Sequence, residues 1–142
     1  MNFLIDNNVI LDYYNDERSA LFTDSVEAIN YILNHLDHNA FISSSALDNL
    51  EFVKATELKR ELGTANKIII KNFIQDIVSK FKLAKTPSYM EIDYEDIEDS
   101  QIIASAKAIN AKVITRDQKM LKKYPNTTIS PSSFSLLPSP SK

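Results

Sequence analysis

Short apolar runs alternate along this chain with longer stretches in which apolar residues recur every three or four positions. Runs at 2–6, 40–43 and 112–115 predict buried strands, and shorter strands are expected at 82–85 and 127–130. The helical stretches cover 9–14, Asp16 or Ser19 to Leu36, Ser44 or Ser45 to Gly63, 65–80, 97–109 and a short segment after Asp117. Strands that alternate with helices predict an α/β fold, with a mostly parallel sheet and helices on both faces.

The ends of these helices carry residues with known capping preferences. Gly63, the only glycine, stands where a left-handed helix stop is expected, and Thr64 is placed to cap the next helix. Asp96 is placed to cap the helix at 97–109. Beyond Pro131 the composition turns to serine and proline, so we expect one domain over residues 1–134 and a flexible tail over 135–142.

Three aspartates fall where the predicted elements should meet at one edge of the sheet. Asp6 ends the first strand, Asp117 follows the strand that ends at Thr115, and Asp99 lies in the segment that opens a helix. Each could cap a helix, but three independent caps would have no reason to converge. Carboxylates crowded together repel one another unless a cation lies among them. The pattern therefore predicts a hard-cation site with oxygen ligands and metal-dependent phosphodiester chemistry.

Composition limits the alternatives. The chain has no cysteine and two histidines, which excludes disulfides and thiolate metal sites. A single glycine leaves no glycine-rich phosphate loop. The net charge of −3 argues against holding nucleic acid by bulk charge, although acids around a bound cation would account for part of it. No signal peptide or membrane-spanning run is present, so a cytoplasmic location without membrane contact is expected.

The ordered set of motifs resembles the PIN-domain family. Residues 4–11 are similar to the opening strand of that family, which ends in Asp-x-Asn-Val. Residues 96–99, the alanine-containing helix after them and 113–117 resemble its second half, and 129–134 its closing segment. The match covers essentially the whole chain in order and spacing. It implies a PIN-like three-layer fold, with four to five short strands and an acidic Mg²⁺ or Mn²⁺ site.

The resemblance also assigns roles to individual positions. Asp6, Asp99 and Asp117 match the metal-site acids of the family, and Asn8 matches the polar residue that supports the first of them. Asn49 stands where the remaining acid is usual, and an amide offers a cation an oxygen without charge. The neighbouring acids Asp48 and Glu51 are the alternatives if the helix is rotated.

The function that the resemblance implies is a Mg²⁺- or Mn²⁺-dependent endoribonuclease, similar to toxins of VapC type that are blocked by an antitoxin. We expect the three aspartates to hold the cation and Asn49 to position metal-bound water. Thr115 or nearby hydroxyls are expected to support the metal ligands. Arg116 and Lys119 are expected to contact RNA phosphates. A homodimer is also expected.

Two other classes of function stay open. One is a PIN fold that has lost catalysis through Asn49 and serves as an RNA- or protein-binding module. The other is a phosphatase with Asp6 as its nucleophile, which would need a second aspartate where Asn8 stands.

Overall fold

The computed structural model describes residues 1–88 and 92–134, which form a layered α/β arrangement. Its strands are β1 (Asn2–Ile5), β2 (Asn39–Ser43), β3 (Lys82–Ala84), β4 (Ala111–Ile114) and β5 (Thr128–Ile129). Its helices are α1 (Asn7–Tyr14), α2 (Asp16–Leu21), α3 (Thr23–Leu33), α4 (Ser44–Leu62), α5 (Lys67–Lys80), α6 (Ile97–Ala108), α7 (Gln118–Lys123) and α8 (Pro131–Phe134). The expected tail at 135–142 lies outside the described residues.

All the strands belong to one parallel sheet, in the order β3-β2-β1-β4-β5. The central strand β1 pairs with β2 on one side, where Phe3 is opposite Ala40, and with β4 on the other, where Leu4 is opposite Val113. The order reverses at β1, because the chain first builds outward through β2 and β3 and then returns to the opposite side. Such a switch point opens a crevice at the carboxyl ends of the two neighbouring strands β1 and β4. The predicted α/β class is confirmed.

The core lies on both faces of this sheet because successive strand residues point to opposite sides. Phe3 and Ile5 pack on one face among residues of α1, α3, α4, α5 and α8. Leu4 and Val113 pack on the other face, against α6 and the buried Met120 of α7. Strands covered on both faces need apolar residues at every position, which explains the continuous apolar runs in the sequence.

The region predicted as one helix from Asp16 or Ser19 to Leu36 consists of two helices, so that prediction is wrong. Phe22 lies between α2 and α3 with φ −120° and ψ 60°, outside the helical region. Its ring packs against the guanidinium of Arg116, 3.6 Å from the ring centroid. A contact with a residue so distant in sequence leaves no trace in the local apolar spacing.

Several helix ends also differ from the predictions. Ser43 caps α4 through its hydroxyl, rather than Ser44 or Ser45. Asn66, rather than Thr64, caps α5. A further short helix that was not predicted, α8, begins at Pro131 and lies within the domain expected over 1–134. No helix in the described ranges 1–88 and 92–134 is long and apolar enough to cross a membrane.

Other predicted ends are confirmed. Gly63 has φ 80°, in the left-handed region, and its backbone N–H donates to the Lys59 carbonyl at the end of α4. Asp96 occupies the N-cap position of α6, although its side chain makes no capping hydrogen bond.

Candidate metal centre

Asp6 lies at the carboxyl end of β1, in the crevice at the switch point. Its residue is only 8% exposed, and its Oδ1 accepts a hydrogen bond from the backbone N–H of Asn7 at 2.8 Å. Its Oδ2 accepts a hydrogen bond from the Thr115 hydroxyl at 2.8 Å. Burial raises the pKa of the Asp6 carboxyl above its ordinary value, while the bonds from Thr115 and Asn7 oppose that rise. The charge of Asp117 raises it further.

Thr115 joins the two aspartates that follow the neighbouring strands. It is fully buried just after β4, where its backbone continues from the strand. Its hydroxyl donates to Asp6 and accepts the backbone N–H of Asp117 at 3.0 Å. Asp117 in turn caps α7, because its Oδ1 accepts from the N–H groups of Lys119 and Met120 at 2.9 and 3.2 Å. One hydroxyl therefore fixes Asp6 and Asp117 relative to each other.

Asp99 lies in the first turn of α6. Burial raises the pKa of its carboxyl to about 6, and the charges of Asp96, Asp117 and Asp6 also raise it. The charges of Asp6 and Asp117 act on the Asp99 carboxyl, so the three carboxylates lie within electrostatic range of one another. Their meeting around one metal ion stays a prediction. We call these three aspartates together with Thr115 the acidic cluster.

The acidic cluster suits a hard cation in chemistry and in charge. It offers only oxygen donors, and positive charge among its carboxylates would relieve the repulsion that raises the pKa of Asp99. The arrangement of these side chains, however, is not sufficient for a metal site. Residues 1–88 and 92–134 contain no group of three or more His, Cys, Asp or Glu arranged to hold a metal ion on their own. A divalent cation here would need further oxygen donors.

The position expected to carry a fourth ligand, Asn49, lies in α4 and is exposed. It lines a small cavity of about 180 Å³ together with Asn7, Glu98 and Gln101. The neighbouring acids Asp48 and Glu51 are also exposed. Neither of those two acids lines this cavity. Asn49 therefore shares a cavity with the chain neighbours of Asp6 and Asp99, and its role as a fourth ligand stays a prediction.

The other predicted site residues have more varied surroundings. Asn8 is exposed near the start of α1, and its backbone carbonyl accepts from Arg18 Nη2 at 3.0 Å. Lys119 forms an ion pair with Asp96, while its side chain stays 64% exposed. Its contact with RNA stays a prediction.

Asp12 was not predicted to have a special role from the sequence. In the structure it holds Arg116, the residue between Thr115 and Asp117 of the acidic cluster. Its carboxylate is fully buried in α1 and accepts from Arg18 Nε at 3.0 Å and from the Ser25 hydroxyl at 2.7 Å. Arg116 donates to it through Nε at 2.7 Å and Nη2 at 3.1 Å. Arg116 was expected to contact phosphates, yet two of its donor nitrogens are engaged by this buried carboxylate.

The fold is similar to those of solved structures over almost the whole chain. VapBC2 from Rickettsia felis, solved bound to a DNA fragment from its promoter, matches with a TM-score of 0.60 at 16% identity, covering 92% of this chain and 98% of that one. PAE2754 from Pyrobaculum aerophilum matches with a TM-score of 0.58 at 12% identity, covering 96% and 88%.

More distant comparisons add no argument. A PilT N-terminus domain protein, SSO1118 from Sulfolobus solfataricus, has a TM-score of 0.48 at 12% identity, covering 94% of this chain and 90% of that one. No family model and no curated protein matches the sequence. The likeness to the first two structures shows the fold alone, and that fold is PIN-like, as the motifs predict.

Proposed function

Starting from a PIN-like fold, we propose that this protein is a Mg²⁺- or Mn²⁺-dependent endoribonuclease. The observation that carries the proposal is the electrostatic effect of Asp6 and Asp117 on the Asp99 carboxyl, with Asp6 at the switch point between β1 and β4. Ligands of open parallel sheets bind at such points. A crevice that gathers repelling carboxylates, with no thiol or imidazole among them, favours a hard divalent cation.

In this proposal Asp6, Asp99 and Asp117 would hold the cation. The bound ion would act as a Lewis acid that makes water acidic near neutral pH and stabilises charge on the phosphodiester. The Thr115 hydroxyl keeps the Asp6 carboxylate turned toward the crevice, because it donates to Asp6 Oδ2. Its second hydrogen bond, from the backbone N–H of Asp117, holds the start of α7 in place.

RNA phosphates would approach the same crevice. Lys119 is the cation best placed to meet them, because its side chain is exposed and its partner Asp96 lies next to the acidic cluster. Its ammonium could exchange Asp96 for a phosphate oxygen at low cost, since exposed ion pairs contribute little. Arg116 is held by Asp12, so we assign it a structural contribution and a weaker contact with phosphate.

We further propose that the ribonuclease is the toxin of a toxin–antitoxin pair in the cytoplasm, and that it acts as a homodimer. The resemblance of its motifs to toxins of VapC type supports this, as does the likeness of its fold to VapBC2 from Rickettsia felis. Induced expression in a bacterial host would then stop growth, and Asp6→Asn would relieve the arrest. Normal growth during verified expression of the soluble wild-type protein would contradict the toxin assignment.

The test of the nuclease itself is metal-dependent cleavage of a labelled RNA. We expect Asp6→Asn and Asp99→Asn each to lower the Mn²⁺-dependent rate by about a hundredfold or more, since each removes a charge that holds the cation. Asp48→Asn is the matched control, because Asp48 is exposed on α4 and does not line the cavity that contains Asn49. Unchanged cleavage in Asp6→Asn and Asp99→Asn would overturn the mechanism.

The second candidate is a binding module that has lost catalysis. It is favoured by the neutral Asn49 and by the lack, in the described part of the chain, of three acids arranged to hold a metal by themselves. Isothermal titration of the metal-free protein with Mn²⁺ separates the two. Saturable binding at or below millimolar Mn²⁺ supports the nuclease, whereas its absence supports the binding module.

A further inference from the structure

A cavity of about 290 Å³ lies between α1 and α4, and an exposed aromatic residue forms part of its wall. This residue is Phe52 of α4, which is 71% exposed, whereas the other phenylalanines of the chain are buried or half-buried. Leu11 of α1 and Val53 of α4 add apolar surface beside it. The cavity therefore offers a flat apolar surface, open to solvent, that a ligand can cover. We call it the Phe52 cavity.

Two guanidinium groups give the Phe52 cavity positive charge. Arg60 of α4 is exposed and makes no ion pair or hydrogen bond within residues 1–88 and 92–134. Arg18 is held in place by the buried Asp12 carboxylate, to which its Nε donates at 3.0 Å, and a guanidinium carries further N–H donors. The acid in the lining, Glu57, accepts a hydrogen bond from Asn15 at 3.3 Å. Two arginines against one glutamate leave the cavity positive on a chain whose net charge is −3.

The Phe52 cavity is joined to the acidic cluster by α1 and by a hydrogen-bond network. Asp6 caps α1, and Leu11 lies about 7.5 Å further along the axis of the same helix. Arg18 and Arg116 both donate to the buried Asp12 carboxylate. One network therefore holds a wall of the cavity and the segment after β4 that contributes to the acidic cluster. An extended ligand bound at the acidic cluster would reach the cavity by following α1.

Single-stranded nucleic acid is the ligand that fits this combination of groups. Proteins bind it with aromatic side chains on which bases stack, and with cations that contact its phosphates. Phe52 supplies an exposed ring, and Arg18 and Arg60 supply the charge. A protein that docked here through apolar contacts alone would leave the two guanidiniums without anionic partners, whereas RNA provides a phosphate at every nucleotide. The observations therefore favour RNA over a protein partner.

We propose that the Phe52 cavity binds the part of the RNA substrate that flanks the cleaved bond. One base stacks on Phe52, and the phosphates beside it contact Arg60 and Arg18. This inference rests on the proposed function, because it assigns a second contact region to the same RNA. Phe52 and Arg60 hold the substrate and take no part in the chemical step.

The stacking contact is tested by RNA binding in EDTA, where no metal-dependent cleavage occurs. Fluorescence anisotropy measures the affinity for a labelled single-stranded RNA of about eight nucleotides. We expect Phe52→Ala to weaken binding roughly tenfold, because it removes the stacking surface, and Phe52→Tyr to stay within about threefold of the wild type. Leu62→Ala is the matched control, since it truncates an exposed apolar side chain of α4 outside the cavity lining and should change the affinity less than about twofold.

Two adjacent cations of α4 test the phosphate contact. Arg60→Gln should weaken RNA binding and make the slope of log affinity against log salt shallower by about 0.7, as expected for the loss of one phosphate contact on a single strand. Lys59→Gln removes the same charge from an exposed position outside the cavity lining, so the affinity should change less than about twofold. Equal losses in Arg60→Gln and Lys59→Gln would contradict a phosphate contact at Arg60. Circular dichroism confirms that each variant is folded.

The outcomes separate this inference from the proposed function. If Phe52→Ala and Arg60→Gln bind RNA as tightly as their controls, the inference is overturned and the cavity is left to a protein partner, while Mn²⁺-dependent cleavage by the same variants would keep the nuclease proposal. Absence of saturable RNA binding by the wild type in EDTA also overturns the inference. Weaker RNA binding in Phe52→Ala, in a protein that cleaves no RNA with Mn²⁺, supports the cavity and overturns the nuclease alone.

Discussion

Replacing Asp12 should destabilise the protein more than any exposed substitution, although Asp12 lies outside the acidic cluster. Its carboxylate is fully buried and accepts hydrogen bonds from Arg18, Ser25 and Arg116. Asp12→Asn keeps the size of the side chain but removes its charge, so two guanidiniums lose their anionic partner. One amide N–H group would also face those cationic donors, which is unfavourable.

The loss of stability in Asp12→Asn depends on how deeply Asp12 and its arginine partners are buried. Removing one partner of a buried ion pair costs about 3–5 kcal/mol, mostly because the other charge stays buried. Here the side chains of Arg18 and Arg116 are 33% and 29% exposed, so they recover part of their hydration. The cost should therefore fall at the lower end, about 3 kcal/mol. For a domain of this size that corresponds to a loss of about 10 °C in Tm.

Thermal unfolding followed by circular dichroism measures this directly. Asp37→Asn is the control, because it makes the same chemical change at an exposed position and should move Tm by less than about 2 °C. A Tm for Asp12→Asn within that same margin would refute the reasoning, since it would mean that the buried network contributes no net stability. Arg116→Met combined with Asp12→Asn should then cost less than the sum of the two single changes, as expected for groups in contact.

Three further outcomes follow from the site and from the helix ends. Mn²⁺ binding should weaken as pH falls through about 6, because burial and neighbouring acids raise the pKa of Asp99 to about 6. Below that pH the cation must displace a proton from Asp99, and titration with Mn²⁺ at pH 5, 6 and 7.5 measures the loss of affinity. Thr115→Val should cost about 1–3 kcal/mol in urea unfolding, since it leaves the partners of a buried hydroxyl unpaired, whereas Thr115→Ser should keep both bonds. Gly63→Ala should cost about 1 kcal/mol through backbone strain alone, because φ is 80° and a Cβ would meet no atom within 4 Å, and Gly63→Asn should cost less.

The sequence was most informative where the structure depends on neighbours in the chain. The apolar runs predicted the strands within one or two residues, because a strand buried on both faces needs apolar residues throughout. Gly63 marked the end of α4 because a left-handed residue is needed there. The ends of parallel strands lie at one edge, so the meeting of Asp6 with Asp117 also followed from the order of elements.

Structural features that depend on residues distant in sequence could not be predicted from the local apolar and polar pattern. Asp12 looks like an ordinary polar position in a short helix, and its partner Arg116 is 104 residues away. The break at Phe22 depends on the same Arg116, whose guanidinium packs on the ring.

A carboxylate can cap a helix with one oxygen and still offer the other to a cation. Asp99 differs from Asp6 and Asp117 because its carboxylate caps no helix. Asp6 and Asp117 each give one oxygen to backbone amides at the start of a helix. The carboxylate of Asp99 accepts no hydrogen bond within the described residues, and its pKa is raised to about 6. Its negative charge therefore destabilises the fold without metal, a contribution that is lost progressively as pH falls below about 6.

Asp99→Asn should consequently raise Tm in EDTA at pH 7.5, because it removes a carboxylate whose ionised form the folded state disfavours. The same variant should lose the stabilisation that saturating Mn²⁺ gives the wild type, since ligand binding stabilises only the state that binds. In Asp6→Asn the amide oxygen still accepts one hydrogen bond, but its NH₂ group faces the second donor, so the rise of Tm in EDTA from removing this buried charge should be smaller. A larger rise for Asp99→Asn than for Asp6→Asn in EDTA identifies Asp99 as the carboxylate with the fewest stabilising contacts in the fold. A fall of Tm in EDTA for Asp99→Asn would mean that Asp99 stabilises the fold, and would remove the electrostatic argument for a metal.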